Sequence, residues 1–325
     1  MKIGVVGLGA VGGFLAARLA AAGHEVSALA RGATLAAVRT HGLRVQQQDG
    51  LVRTALAVSD DPHELGPQDL VIVALKAPAL DAAADSIAAL RAPAGVVMPA
   101  MNGVPWWFLQ TQAELGTAPL ESVDPHGRIA AALPIEHVLG CVVHFASSSP
   151  EPGVVRHGFG ERLIVGEPRG GDSERTGAVV AALAAAGLQA EASADIRRDI
   201  WFKLWGNMTM NPVSALTGAT ADRILDDPLV ASFMLRAMAE AAGIGARIGC
   251  PIAQSGEERM AVTRQLGAFK TSMLQDAEAG RALELDALVS AVHEIGERLG
   301  APTPNIGALL GLTRLMARQR GLYPA

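Results

Sequence analysis

Lys203, Asn207 and Asn211 stand four residues apart in Lys203-Leu204-Trp205-Gly206-Asn207-Met208-Thr209-Met210-Asn211-Pro212. On a helix, positions at that spacing share a face. A lysine and two amides lined up among mostly apolar neighbours either form a solvated surface stripe or line a cleft. In a cleft, desolvation lowers a lysine's pKa toward the range useful for proton transfer. Pro212 is expected to break or kink the helix after the third member of the stripe. The chain holds four lysines (Lys2, Lys76, Lys203, Lys270) among 27 basic residues, a bias that gives weak weight to each lysine that persists. Further on, Ser272-Met273-Leu274-Gln275-Asp276 reads as helical, and Glu284 opens the next helix after Ala279-Gly280. An acid in a first helical turn is by itself often only dipole compensation.

A second signal lies at the start of the chain. Gly7-Leu8-Gly9-Ala10-Val11-Gly12 is a G-x-G-x-x-G run between an apolar strand and a helix. The first glycine makes the turn and the second lets backbone approach a pyrophosphate. The third lets the helix pack close to the strand. N–H groups at the helix start would then face the anion. The alternative is an ordinary glycine-rich turn; the strand–turn–helix context favours dinucleotide binding. Arg31 stands at the end of the next strand, with no acid between Val26 and Thr34. A carboxylate there would bond a ribose 2′-OH, whereas a guanidinium suits a 2′-phosphate. The cofactor indicated is therefore NADP(H) rather than NAD(H), unless Arg31 is a plain surface arginine. Lys76 and Asn102 follow two later strands, at the edge where open sheets bind ligands. Lys76 is either a second cation beside the cofactor or a loop lysine. Asn102-Gly103 is either a ligand contact or a simple turn.

The elements that must position these residues follow from hydropathy. Strands are expected at Ile3–Val6, His24–Ala30, Leu70–Leu75 and from Gly95, with helices over 11–22, 36–41 and 80–90. A hairpin of Leu43–Gln47 with Val52–Val58 is expected between them. The uninterrupted run Leu70–Leu75 fits a strand buried on both faces of a parallel sheet. From about Asp195 strand-like runs vanish. Helical patterns take over at 196–210, 229–248, 257–279 and 283–299. The fold class is α/β: an N-terminal Rossmann-type doubly wound parallel sheet over 1–194, then an all-helical C-terminal domain over 195–325.

Composition narrows the function classes. The 325 residues suit about two domains. Half are hydrophobic, and the net charge of −5 offers no basic footprint for nucleic acid and no polybasic membrane anchor. Two cysteines and no paired histidine spacing leave no metal site to expect. The glycine-rich start reads as strand and turn rather than signal peptide, and no run of about 18 apolar residues suggests a membrane span. A cytoplasmic protein is expected, and the apolar helices of the second domain allow a homodimer.

The ordered set of motifs resembles the ketopantoate reductase family (2-dehydropantoate 2-reductase) over nearly the whole chain. It comprises the N-terminal glycine run, Arg31, Leu75-Lys76-Ala77, Asn102-Gly103, Lys203-x-x-x-Asn207-x-x-x-Asn211-Pro212, Ser272–Asp276 and Glu284. The resemblance implies NADPH-dependent reduction of a 2-oxo acid to a 2-hydroxy acid, a step of pantothenate biosynthesis. By position it implies Lys203 as the proton donor to the carbonyl oxygen and Glu284 as the active-site glutamate. Asn207 and Asn211 match contacts to substrate hydroxyls, and Ser272 a contact to the substrate carboxylate. Asn102 lies near nicotinamide and substrate, and Arg31 and Lys76 match contacts to the 2′-phosphate and adenosine ribose. Met101, the bulky run Val104-Pro105-Trp106-Trp107-Phe108, Trp205 and a long 110–136 stretch depart from the family pattern. They are expected to reshape the pocket toward another branched 2-oxo acid. A 3-hydroxyacid dehydrogenase, or a protein that senses NADP(H) without turnover, are the competing readings.

Overall fold

The computed structural model describes residues 1–47, 50–112 and 118–324. The chain forms two compact units, Met1–Thr111 with Gly127–Asp199, and Gln112–His126 with Ile200–Ala325.

In the first unit the strands are β1 (Lys2–Val6), β2 (Glu25–Leu29), β3 (Leu43–Gln47), β4 (Gly50–Thr54), β5 (Ala57–Ser59), β6 (Gln68–Val73), β7 (Arg91–Pro99), β8 (Gly140–Glu151), β9 (Val154–Gly166) and β10 (Gln189–Ser193). Five of them form a parallel sheet in the order β5-β2-β1-β6-β7. The order reverses between β1 and β6, as in a doubly wound sheet with its ligand crevice at that switch point. The central strands read as apolar runs because Val5, Ile72 and Val97 are closed off on both faces. The expected hairpin exists as β3 with β4, but its second arm ends at Thr54. Ala57–Ser59 instead joins the parallel sheet beside β2.

The hairpin belongs to a second sheet whose longer strands, β8 and β9, were not expected from the sequence. There β9 pairs with β8, β3 and β10, and β3 also pairs with β4. The helix Ala10–Ala21 lies between the two sheets and packs very tightly on β9. A Cβ at Gly13 would come within 2.5 Å of Val155 Cγ2. Trp106, Trp107 and Phe108, expected to crowd the pocket, are buried packing residues instead. The Trp106 indole donates to Leu133 O, and the Arg197 guanidinium lies 4.9 Å from the Phe108 ring centre. Glycine at 140 leaves room for Trp107, whose Cη2 would be 3.0 Å from a Cβ there.

Among its described residues the second unit consists of helices joined by turns and loops, with no strand. The Ile196–Thr217 helix runs on through Pro212, so of the expected break or kink the break does not occur. Residues 208–215 are buried all round, so packing outweighs the hydrogen bond that proline cannot donate. The pattern at 257–279 is two helices, Gly256–Arg264 and Ser272–Glu278, separated by a turn with Gly267 at φ 64°. Glu284 precedes a π-helical turn, Asp286–Ser290, that continues into the helix Ala291–Arg298. The Pro228–Arg247 helix has the length and mean hydropathy (1.3) of a membrane span, although Arg236 and Glu240 interrupt its apolar run. Its buried face packs within this unit, and its Glu240 accepts hydrogen bonds from the backbone N–H groups of Asn305 and Ile306. Of the 110–136 stretch, residues 113–117 lie outside the described residues. Glu121 and Ser122 are tied to Glu294, which accepts both their N–H groups at 2.9 Å and the Ser122 hydroxyl at 2.7 Å. Burial opposes the charge on Glu294. These bonds, with Arg298, nevertheless hold its carboxyl below the usual range.

Candidate active site

In the first unit four of the expected positions converge on one sheet edge. Leu29, Val6, Val73 and Pro99 lie in one register row across β2, β1, β6 and β7. Within three residues beyond that row come Arg31, Gly7, Lys76 and Asn102. Neighbouring strands are about 4.8 Å apart, so the row spans about 14 Å. The turn is fixed to this edge from both sides: Gly7 N–H donates to Leu29 O at 3.1 Å, and Ala74 N–H to Val6 O at 2.9 Å.

The three glycines have separate physical reasons. Gly7 has φ 92°, and a Cβ there would stand 2.9 Å from Ala74 O. At Gly12 a Cβ would sit 2.0 Å from Gly7 O, so this position must be glycine for the turn to close. Gly9 is different: its φ of −79° suits any residue, and a Cβ would meet nothing within 4 Å. The space over Gly9 is open, and Gly9 caps the helix Ala10–Ala21 without a side-chain hydrogen bond. No acid stands in that helix's first turn. An open, uncapped helix start with no negative charge fits the pyrophosphate of a dinucleotide. Leu8, by contrast, is buried core, while Ala10 and Val11 carry the first helical N–H groups.

Arg31 is the extended residue that caps the Gly32–His41 helix. It is exposed and, among the described residues, makes no ion pair. Lys76 is half-buried and precedes the 3-10 turn Ala77–Ala79. Asn102 is half-buried in a bend whose next residue, Gly103, has φ 90°.

In the second unit the Ile196–Thr217 helix carries Lys203, Asn207 and Asn211. It is held by Trp201 and Trp205, whose indole N–H groups donate to Ala241 O at 3.3 Å and Met238 O at 2.8 Å. The first of these contacts is close enough that a Cβ at Gly245 would be 2.3 Å from the Trp201 indole nitrogen. Trp205 is thus an anchor and not a pocket residue. At about 100° per residue, Lys203 stands roughly half a turn round from these tryptophans. Lys203 and Asn207 are half-buried, and Asn211 is 6% exposed. Among the described residues, the side-chain amides of Asn207 and Asn211 make no hydrogen bond. A buried amide costs free energy unless it is hydrogen-bonded.

Ser214, one turn beyond Asn211, binds the Thr271 hydroxyl at 2.5 Å and donates to Asn211 O at 2.8 Å. Thr271 also caps the Ser272–Glu278 helix by accepting Leu274 N–H. The Ser214–Thr271 pair, which sequence reasoning missed, therefore brings Ser272 to the Asn211 end of the stripe. Ser272 itself is exposed and Glu284 half-buried. A second unanticipated residue is Arg259, which packs against Phe202 and Gly206 on the same long helix. Nothing in its sequence neighbourhood, Glu257-Glu258-Arg259, marks it as lacking an ion pair.

The same arrangement of elements occurs in known proteins. Residues 3–170 match the family described as Ketopantoate reductase PanE/ApbA, and residues 195–317 match its C-terminal family. A 2-dehydropantoate 2-reductase of Mesorhizobium japonicum is 42% identical over 99% of this chain and 100% of its own. The corresponding enzyme of Halobacterium salinarum is 30% identical over 98% of this chain and 99% of its own. A crystal structure from Ralstonia solanacearum MolK2, provisionally assigned as a ketopantoate reductase, superposes with a TM-score of 0.96 at 60% identity, covering 99% of each chain. With both family regions matched in order along one chain, and relatives aligned from end to end, the protein belongs to the ketopantoate reductase family and is an oxidoreductase.

Proposed function

We propose that the protein reduces a branched 2-oxo acid, ketopantoate or a close analogue, to the 2-hydroxy acid with NADPH. The observation that carries this reading is the Lys203–Asn207–Asn211 stripe, held on a helix anchored by its opposite face, with two side-chain amides that make no hydrogen bond among the described residues. Bound NADPH supplies the hydride. The chain's own residues must orient the carbonyl and manage the charge that develops on its oxygen. Lys203 Nζ carries a proton and a positive charge, so it stabilises that oxygen and then protonates it. The Asn207 and Asn211 amides offer donors and acceptors to substrate hydroxyls. Glu284 contacts the substrate beside them, with Ser272 at the Asn211 end. In the first unit, backbone N–H groups of Gly9, Ala10 and Val11 take the pyrophosphate, and Gly7 and Gly12 shape the turn. Arg31 takes the 2′-phosphate, Lys76 the adenosine ribose, and Asn102 reaches nicotinamide and substrate.

This reading assigns cofactor binding to 1–194 and substrate binding to 195–325, in a cytoplasmic homodimer. Packing of Trp106, Trp107, Phe108 and Trp205 in the cores removes the reason to expect a pocket reshaped by them. Ketopantoate is therefore the first substrate to test. The experiment is a panel of 2-oxo acids with NADPH, and of 3-hydroxyacids with NADP+, followed by NADPH absorbance. Oxidation of NADPH by ketopantoate supports the reading. Turnover confined to 3-hydroxyacids, or cofactor binding with no turnover, would replace it with one of the competing readings.

A further inference from the structure

Arg259 is a half-buried cation that has no carboxylate partner among the described residues. It lies on the helix Gly256–Arg264, which starts with a capping box: Ser255 Oγ accepts Glu258 N–H, and Glu258 Oε2 accepts Ser255 N–H at 2.9 Å. The adjacent carboxylate of Glu258 is thereby spent on the helix start. Among the described residues the guanidinium makes no hydrogen bond and no ion pair, and its Nε is enclosed without a partner. Its guanidinium carbon stands 5.2 Å from the Phe202 ring centre. Gly206 leaves the room it occupies, since a Cβ there would be 2.9 Å from Nε and 3.0 Å from Nη2. The other half-buried arginine of this unit, Arg298, is engaged by Glu294 and by the carbonyls of Ala118 and Pro119. Burial depresses the pKa of Arg259, with no carboxylate close enough to offset it.

A partly desolvated charge is normally paired. An uncompensated one packed between a ring and a glycine points to an anion that arrives from outside. Phe202 and Gly206 directly precede Lys203 and Asn207, so the guanidinium sits one helical residue, about 100°, to the side of the Lys203 stripe. A 2-oxo acid carries its carboxylate on the carbonyl carbon itself. A receptor for that carboxylate must therefore stand beside the group that protonates the carbonyl oxygen. With Nε enclosed, the two Nη groups are the part left toward solvent, and together they match the two oxygens of a carboxylate.

We infer that Arg259 is the carboxylate receptor of the substrate site and selects 2-oxo acids over uncharged carbonyl compounds. This rests on the reductase reading and gives the carboxylate to Arg259 rather than to the exposed hydroxyl of Ser272.

Four variants test it in the full chain. Arg259→Met keeps the apolar stem and removes the charge. It should raise the KM for the 2-oxo acid by about 10–150-fold, the worth of a charged hydrogen bond, with the Kd for NADPH unchanged. The preference for the acid over its methyl ester should collapse, and Arg259→Lys should restore part of it. Gly206→Ala presses only on the flexible end of Arg259 and favours helix. It should raise the same KM while Tm holds or rises, a split that a merely structural arginine would not produce. Unchanged KM and unchanged acid-over-ester preference in Arg259→Met would overturn the inference, as would Ser272→Ala alone abolishing that preference. Calorimetric titration with oxamate, an unreactive 2-oxo acid mimic, separates this inference from the reading beneath it. If the wild type reduces no 2-oxo acid yet binds oxamate at least tenfold more tightly than Arg259→Met, the anion site stands and the reductase reading falls. Equal oxamate binding, or none by the wild type, overturns the site itself.

Discussion

Replacing Gly9 and Gly12 separately with alanine should have opposite consequences, because the two glycines exist for different reasons. At Gly12 the added Cβ would lie 2.0 Å from Gly7 O, 2.9 Å from Ala74 Cβ and 3.1 Å from Val5 Cγ1. Carbon contacts settle at about 3.5–4.0 Å, so the turn would have to open by more than 1 Å between a strand and its neighbour. Overpacking of that severity costs about 3 kcal/mol or more. For a unit of this size, that lowers Tm by about 6–12 °C. At Gly9 the Cβ meets no atom within 4 Å, and the backbone already has φ −79°. The lost flexibility of the unfolded chain offsets the poorer helix cap, so Tm should move by no more than about 2 °C. The methyl group would nevertheless stand where the pyrophosphate approaches the helix start. Losing one charge-assisted backbone bond is worth about 1.5–3 kcal/mol, or at least tenfold in Kd. Thermal melting and NADPH titration of both variants make the check. A Gly9→Ala protein that binds NADPH like wild type would refute the placement of the phosphates over this turn. One that melts as early as Gly12→Ala would show that the space is closed.

Three further outcomes follow from the same geometry. Lys203→Ala should lower kcat by about 10²–10⁴-fold with the Kd for NADPH nearly unchanged; wild-type turnover would remove Lys203 as the acid. Arg31→Asp should raise the KM for NADPH far more than that for NADH, since it exchanges an attraction for a repulsion at the 2′-phosphate; equal changes in both would refute the assignment. Glu167→Gln tests the first unit's stability. The Arg175 guanidinium, at 2.5 Å, and the Ser173 hydroxyl hold the Glu167 carboxyl below its ordinary value of 4.5, against the opposing effect of burial. A depressed carboxyl contributes stability above its unfolded pKa and loses it as pH falls through the folded value. The variant should therefore be less stable than wild type by about 1–3 kcal/mol at pH 7, and urea titrations should show the gap closing below pH 4.5. A gap independent of pH would mean that the ion pair contributes nothing.

The parts of the fold that were legible in the sequence are those where local chemistry and long-range packing agree. The strands β1, β2 and β6 announce themselves because both faces are buried, and the glycine run because Gly7 and Gly12 each answer a steric demand. The second sheet does not. Its pairing in β8 and β9 shifts register at His144/Ala146 and again at Ser148/Glu151, so no period of two survives over those twelve and thirteen residues. Bulges of this kind re-aim side chains and erase alternation. Gly267 splits a helical pattern because its φ of 64° is a matter of backbone direction, while the hydropathy on either side continues unbroken. Val104–Phe108 looked like a pocket lining because aromatics suit both pockets and cores. Only the neighbours, Leu133, Gly140 and Arg197, distant in sequence, decide for the core.

The same distinction bears on the site. The spacing of Lys203, Asn207 and Asn211 is local, so the stripe was readable. What makes it usable is not local: two indole N–H groups clamp the far side of the helix to Ala241 and Met238, and that side is invisible in a four-residue period. Pro212 sharpens the point. By propensity it should end the helix one residue after Asn211. Burial from Met208 to Ala215 carries the helix on to Thr217, and that extra length places Ser214 against Thr271. Had the helix stopped where its sequence suggests, Asn211 would be a frayed terminal amide, with nothing to bring Ser272 to that end of the stripe. The proline sits inside the helix because the surrounding core holds it there, so weakening that core at Met208 or Val213 should loosen Asn211 before it unfolds the unit.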